Sequence, residues 1–265
     1  MLMVQLFAVM AVSYWLVPAL TPIFTSARQK NYTGRLVPTG LGLAFVFSAS
    51  GAWLLWPPLT QGQPSALPVA ILLGFALFGL VDDILGSGQH RGFRGHLQAA
   101  LGGKVTTGSL KALGGGLLAL LVGLWGGGGL VNAVVTALLI VLTANLINLL
   151  DLRPGRAGKA FVILALATAA VSPRARWLLF LIAGVVGYLP WDLQAAVMMG
   201  DTGANPLGAA LGFALAESLA GWPRLVGLGV LVVVNLAAER LSFSQLIASQ
   251  PVLNWLDKLG RDEEE

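Results

Sequence analysis

The chain has 265 residues, 56% of them hydrophobic and only 11% charged, and its mean hydropathy is +0.80. That composition excludes an ordinary soluble domain, which builds its core without repeated apolar runs of membrane length. The lack of cysteine excludes disulfides and a thiol nucleophile, and two histidines are too few for a histidine-rich metal centre. The net charge of +4 fits the basic loops of a membrane protein and does not call for nucleic acid.

In chain order, about nine runs approach the roughly 20 residues that a helix needs to cross a bilayer. They lie near 2–20, 36–56, 66–81, 111–126, 129–150, 158–172, 175–190, 203–220 and 223–238. The expected fold is therefore an all-α integral membrane protein with about nine transmembrane helices. The first run has no basic leader and no small-residue cleavage site, so it reads as a retained helix, not a signal peptide. Turns are marked by Pro57-Pro58 through Pro64, Gly126 to Gly129, Ser172-Pro173 and Gly221-Trp222-Pro223. Residues 1–240 form one transmembrane domain, and residues 241–265 form a cytoplasmic amphipathic tail lying at the interface.

The basic residues set the orientation. With the N-terminus outside and the C-terminus cytoplasmic, only Arg174, Arg176 and Arg224 of the 16 Lys and Arg residues fall on the outer side. That places the chain in the inner (plasma) membrane as a multi-pass protein with its chemistry facing the cytoplasm. The same assignment brings Asp82, Asp83, Asp151, Asp192 and Asp201 to one rim. Carboxylates at hydrocarbon boundaries are costly, and several at one depth point to a metal and phosphate site.

Asp82 and Asp83 are adjacent, so on a helix their side chains diverge by about 100° and cannot chelate one ion as a simple pair. One faces the metal while the other orients water, a lysine or a phosphate. Asp201 sits between Gly200 and Gly203 ahead of a helix, where backbone N–H groups also favour phosphate, and is the first candidate for direct ligation. Asn145, Asn148 and Asp151 recur at i, i+3 and i+6 as a polar stripe that must face protein or a watery groove. Their amides suit phosphate or sugar oxygens, and Arg153, Arg156 and Lys159 follow to counter a pyrophosphate. Plainer readings stand beside these: an asparagine as interhelical glue, the aspartates as solvated boundaries, His96 as a loop hydrogen-bonder.

Taken together, four segments resemble the polyprenyl-phosphate N-acetylhexosamine-1-phosphate transferase family, in family order and at family-like spacing. They are Gly34-Arg35-Leu36-Val37-Pro38-Thr39-Gly40, Asp82-Asp83, the Asn145-to-Asp151 stripe, and Met199-Gly200-Asp201-Thr202-Gly203. The resemblance implies transfer of a sugar-1-phosphate from a UDP-sugar to polyprenyl phosphate, giving polyprenyl-pyrophosphoryl-sugar and UMP. It implies a Mg²⁺ requirement, with Mn²⁺ as a substitute, and a catalytic, metal-binding set of Asp82, Asp83 and Asp201. Asn148 and Asp151 would belong to the nucleotide-sugar pocket, and the partners would be the lipid, the donor and a second copy in a homodimer. Gly86 stands where the family carries a lysine, so Lys104 or Lys111 is expected to supply that charge. No histidine follows His96, and Asp151 is followed by Leu152 where the family has glycine. These departures leave two other readings: a non-catalytic relative that binds lipid phosphate or nucleotide sugar, and a secondary transporter. The transporter is disfavoured because its acids would lie at one rim and not at the midplane.

Overall fold

A computed structural model describes residues 1–56, 66–86 and 106–261, and every structural statement below concerns those residues. Helices form wherever an apolar run is uninterrupted, and they begin and end where proline, glycine or a hydroxyl breaks it. They are α1 (Leu2–Leu20), α2 (Leu43–Leu55), α3 (Leu67–Leu85), α4 (Thr107–Trp125), α5 (Gly129–Leu150) and α6 (Arg156–Val171). The chain continues through α7 (Leu178–Leu193), α8 (Asp201–Ser218), α9 (Trp222–Ala238), α10 (Phe243–Ser249) and α11 (Pro251–Lys258). Proline sits in the first turn of α3, α9 and α11, where its missing N–H costs nothing. Thr106 and Ser109 form a reciprocal capping box that starts α4.

The all-α expectation holds apart from one hairpin. Strands β1 (Arg28–Lys30) and β2 (Leu36–Pro38) pair antiparallel, with Arg28 opposite Pro38. The Asn31 side chain closes the turn by accepting from the amides of Thr33 (3.1 Å) and Arg35 (2.9 Å).

The expectation of nine transmembrane helices is not met. Only four helices are long and apolar enough to cross a membrane: α1, α3, α4 and α5. A fifth is added if α9 and α10, bent by 100° at their junction, count as one broken span. The reason is length and composition. A crossing of ~30 Å takes ~20 residues, whereas α2 has 13 residues and α6 and α7 have 16 each. Residues 36–42, expected to begin a span, are instead strand β2 followed by a loop and turn: Leu41 and Gly42 donate to the carbonyls of Met198 and Met199, both at 3.2 Å. The expected opposite placement of the termini therefore no longer follows from a count of nine.

α8 is the centre of the bundle. Residues Thr202 to Ala214 are all buried, and the helix is rich in glycine and alanine. It packs against α5 and α3 at backbone distance. A Cβ added at Gly212 would meet the Leu139 carbonyl oxygen at 2.5 Å and Ile140 Cα at 2.7 Å, and one at Gly208 would strike Thr143 and Ala144. Small residues at such crossings are how membrane helices gain contact where lipid is no less apolar than leucine. On the end of the bundle away from Asp151, Arg224 of α9 donates to Asn132 (2.6 Å) and to Thr136 of α5, tying those helices together.

Gly212→Leu is expected to destabilise the detergent-solubilised protein by an overpacking cost of about 1–3 kcal/mol or more. Gly229→Leu, at a position with open space around it, should leave the melting temperature near the wild type's. Equal melting temperatures for the two variants would contradict this packing.

Candidate active site

Three helices meet at one end of the bundle, and their charged side chains interlock there. α3 brings Asp82 and Asp83 in its last turn, α8 brings Asp201 as its first residue, and α4 brings Lys111 from its second turn. The Lys111 ammonium lies 3.2 Å from Asp82 Oδ2 and also donates to Asp201 Oδ2. Two carboxylates far apart in sequence thus converge on a single cation position.

Asp83 has a different task. Its Oδ1 accepts from the Asp201 amide (3.0 Å), and its Oδ2 accepts from the Thr202 amide (2.9 Å) and the Thr202 hydroxyl (2.6 Å). It is the N-cap of α8 supplied from another helix, satisfying donors that a helix start otherwise leaves open and placing negative charge at the positive end of the dipole. Close approach makes this possible. Gly200 holds φ +66°, and a Cβ there would run into Asp83 and lie 2.6 Å from the Thr39 hydroxyl. Gly79 of α3 sits directly against the Asp201 backbone, where no larger side chain fits.

The adjacent aspartates diverge as expected, but Asp82 faces the Lys111 ammonium, and Asp83, expected to orient water, a lysine or a phosphate, caps the α8 backbone instead. Of the two lysines expected to compensate for Gly86, Lys111 is the one that reaches Asp82 and Asp201 among the described residues. Gly86 itself ends α3, its amide donating to the Asp82 carbonyl at 2.8 Å. Thr107 adds a hydrogen bond to Asp82. Lys104 and His96 lie outside the described residues.

The Asn145-to-Asp151 stripe splits. Asn145 donates to Asn235 of α9 at 2.7 Å, and Asn235 in turn donates to the carbonyls of Leu142 and Leu231. This is a bond between helices, the plainer of the two sequence readings. Asn148 is part-buried in the last turn of α5. Asp151 follows that helix, and burial together with the like charges of Asp192, Asp201 and Asp83 pushes its carboxyl well above the usual carboxylate range. Asp151 thus shares the electrostatic field of the Asp83–Asp201 site.

Arg156 is turned away from that site. It grips both carboxylate oxygens of Asp257 (Nε–Oδ1 2.8 Å, Nη2–Oδ2 2.9 Å) and donates to Ser244 at 2.8 Å. Burial works against the Asp257 charge, yet Arg156 and Arg261 hold its pKa below the ordinary value. The stability this lends is complete above the unfolded aspartate pKa and is lost only as pH falls through the lowered value. Asp192, buried, accepts from the Gly155 amide at 2.8 Å and from the Tyr188 hydroxyl at 3.4 Å. Sequence reasoning missed Thr202, Asn235 and Asp257. Only Thr202 left a local signal, as the hydroxyl next to Asp201 at a helix start.

Among the described residues, no group of three His, Cys, Asp or Glu side chains could hold a metal ion unaided. Mg²⁺, however, is commonly held by one or two carboxylates completed by substrate phosphates and water. Asp82 and Asp201, already converging on an ammonium, are donors of that kind.

Comparison with known proteins decides the lineage. A family profile described as glycosyl transferase family 4 matches residues 65–218, which contain all four residues of this interlocked cluster. The chain belongs to glycosyl transferase family 4. It is similar to the phospho-N-acetylmuramoyl-pentapeptide-transferase of Moorella thermoacetica, 32% identical over 78% of this chain and 70% of the relative. The enzyme of the same description from Desulforudis audaxviator is 30% identical over 79% of this chain and 70% of its own length. This family 4 member is thus a multi-pass membrane protein of a transferase lineage.

Asp83→Ala leaves the first α8 amides without their acceptor and is expected to cost about 1–2 kcal/mol. Amide exchange at residues 201 and 202 should accelerate while that of α5 stays protected. Unchanged exchange at those two amides would remove Asp83 from the capping role.

Proposed function

We propose that this protein transfers a sugar-1-phosphate, of N-acetylhexosamine type, from a UDP-sugar to polyprenyl phosphate, releasing UMP. The reading rests on family membership and on one observation above all: Asp82 and Asp201 meet at a single cation position at the mouth of the bundle. In the reaction, an oxygen of the lipid phosphate attacks the β-phosphorus of the donor. The bond from that phosphorus to the oxygen bridging it to the α-phosphate breaks, and UMP leaves. Little base is needed, because the second pKa of a phosphate monoester is about 6 and the acceptor is largely ionised at neutral pH. The chain's contribution is then position and charge.

Asp82 and Asp201 are the residues that would hold Mg²⁺. Bound there, the ion would neutralise charge on the pyrophosphate and polarise the phosphorus under attack. Asp83 acts as a positioning residue: by capping α8 it fixes the backbone of Asp201 and aims its carboxylate. Lys111 balances the two carboxylates and, on a flexible four-carbon stem, offers an ammonium to phosphate oxygens. Asp151 and Asn148, next along the rim, are the proposed contacts for donor hydroxyls and amides. Arg153 lies beside them, stacked 4.8 Å over the Tyr32 ring of the hairpin. The bias of basic residues supports a cytoplasmic orientation for this rim, where nucleotide sugars are made.

Purified protein given polyprenyl phosphate and a panel of UDP-sugars should form a lipid-linked sugar and release UMP only when Mg²⁺ is present. Asp82→Asn and Asp201→Asn should each lower turnover by at least ~100-fold, the scale of a lost transition-state electrostatic contact, with melting temperatures near the wild type's. Wild-type turnover in Asp201→Asn would overturn the assignment.

A further inference from the structure

Helix α11 is inverted with respect to water. Its polar anchor Asp257 points into the protein and is 9% exposed, held there by the Arg156 fork and by Arg261 (2.6 Å). Lys159 fastens the C-terminal end of the helix by donating to the carbonyls of Asp257 (2.7 Å) and Leu259 (2.9 Å). The opposite face carries Val252 and Trp255, at i and i+3, with Leu259 just past the helix end, exposed by 69%, 62% and 50%. A helix facing water arranges these the other way round.

Its place in the fold names the medium. α11 rests on the first turn of α6, and Arg261 donates to the Pro154 carbonyl at 2.7 Å. It therefore sits at the level where the 22-residue span α5 ends. The chain reaches that level from α9 through the 100° turn into α10, which carries it from the direction of a span to the plane across it. The exposed apolar surface is continuous along this path: Val233 and Leu236 on α9, each 65% exposed, lead through Leu241 (57%) and Leu246 (48%) to the α11 face. Arg240 and Lys258 are exposed beside it, as cations are where long side chains reach for headgroups.

We propose that the face of α11 formed by Val252, Trp255 and Leu259 is a bilayer-docking surface lying at the boundary of headgroups and acyl chains. The Arg156–Asp257 clasp then ties the segment that follows Asp151 to the membrane surface. The proposal depends on membrane residence and not on the reaction, so the two fail separately.

The chain has no cysteine, which allows single-site labelling of the whole protein. V252C, W255C and L259C, with K258C as the polar control, are each labelled with an environment-sensitive fluorophore. They are then reconstituted in phosphatidylcholine–phosphatidylglycerol vesicles. The three apolar-face probes should emit at shorter wavelength than K258C, and lipid spin-labelled near the headgroup end of its acyl chains should quench them severalfold more strongly. Val252 makes no part of the clasp, so V252C reports even where W255C folds poorly. Water-like emission at all four positions would overturn the proposal. So would probes that lipid quenchers fail to reach but that crosslink between two copies at position 255, which would make the covering partner a second protein molecule.

Discussion

A single carboxylate, Asp83, holds the working end of this molecule together. Its two oxygens take two backbone amides and a hydroxyl from the first turn of α8, so α3 and α8 are joined where side chains could not otherwise bridge them. The contact demands bare backbone on both sides, which Gly79 and Gly200 supply. Once it is made, Asp201 has no freedom to leave the rim, and Asp82, one residue away on α3, is held at the same depth. The geometry of the cation position follows from that cap, which brings the two carboxylates close enough to touch.

The rest of the rim is organised by the same economy of charge. Lys111 answers Asp82 and Asp201, Arg156 and Arg261 answer Asp257, and the Gly155 amide answers Asp192. Removing one partner from the buried Arg156–Asp257 pair leaves a charge stranded, a penalty of about 3–5 kcal/mol. Asp151 has no such partner described, and its environment favours the protonated form.

The positions of the helices were legible in the sequence because proline and glycine bracket each apolar run. How many of them cross a membrane was not. Hydropathy reports apolarity without saying whether lipid or protein supplies the neighbours: α8 is enclosed from Thr202 to Ala214 yet rich in glycine and alanine, while α2 and α7 are apolar but short. The Asp82–Asp201 convergence was legible from motif order. The exit of Asn145 to Asn235 and of Arg156 to Asp257 was not, because both partners lie 90 or more positions downstream and neither carries a local mark. The hairpin escaped because strands of three residues leave no alternation to read.

The enclosure of α8 bears on how the protein is built during synthesis. A helix rich in glycine and alanine, opening on Asp201 and carrying Asn205, gains little from entering lipid alone, since a charged residue is penalised there by a few kcal/mol. α3 and α5, far more apolar, can insert unaided. α8 then joins them as a latecomer, drawn in by the Asp83 cap at one end and the Gly208–Gly212 seam along its flank. The Asp83–Asp201 rim would form only after that last helix has seated, so a nascent chain that stalls before α8 would be threaded into the membrane without it.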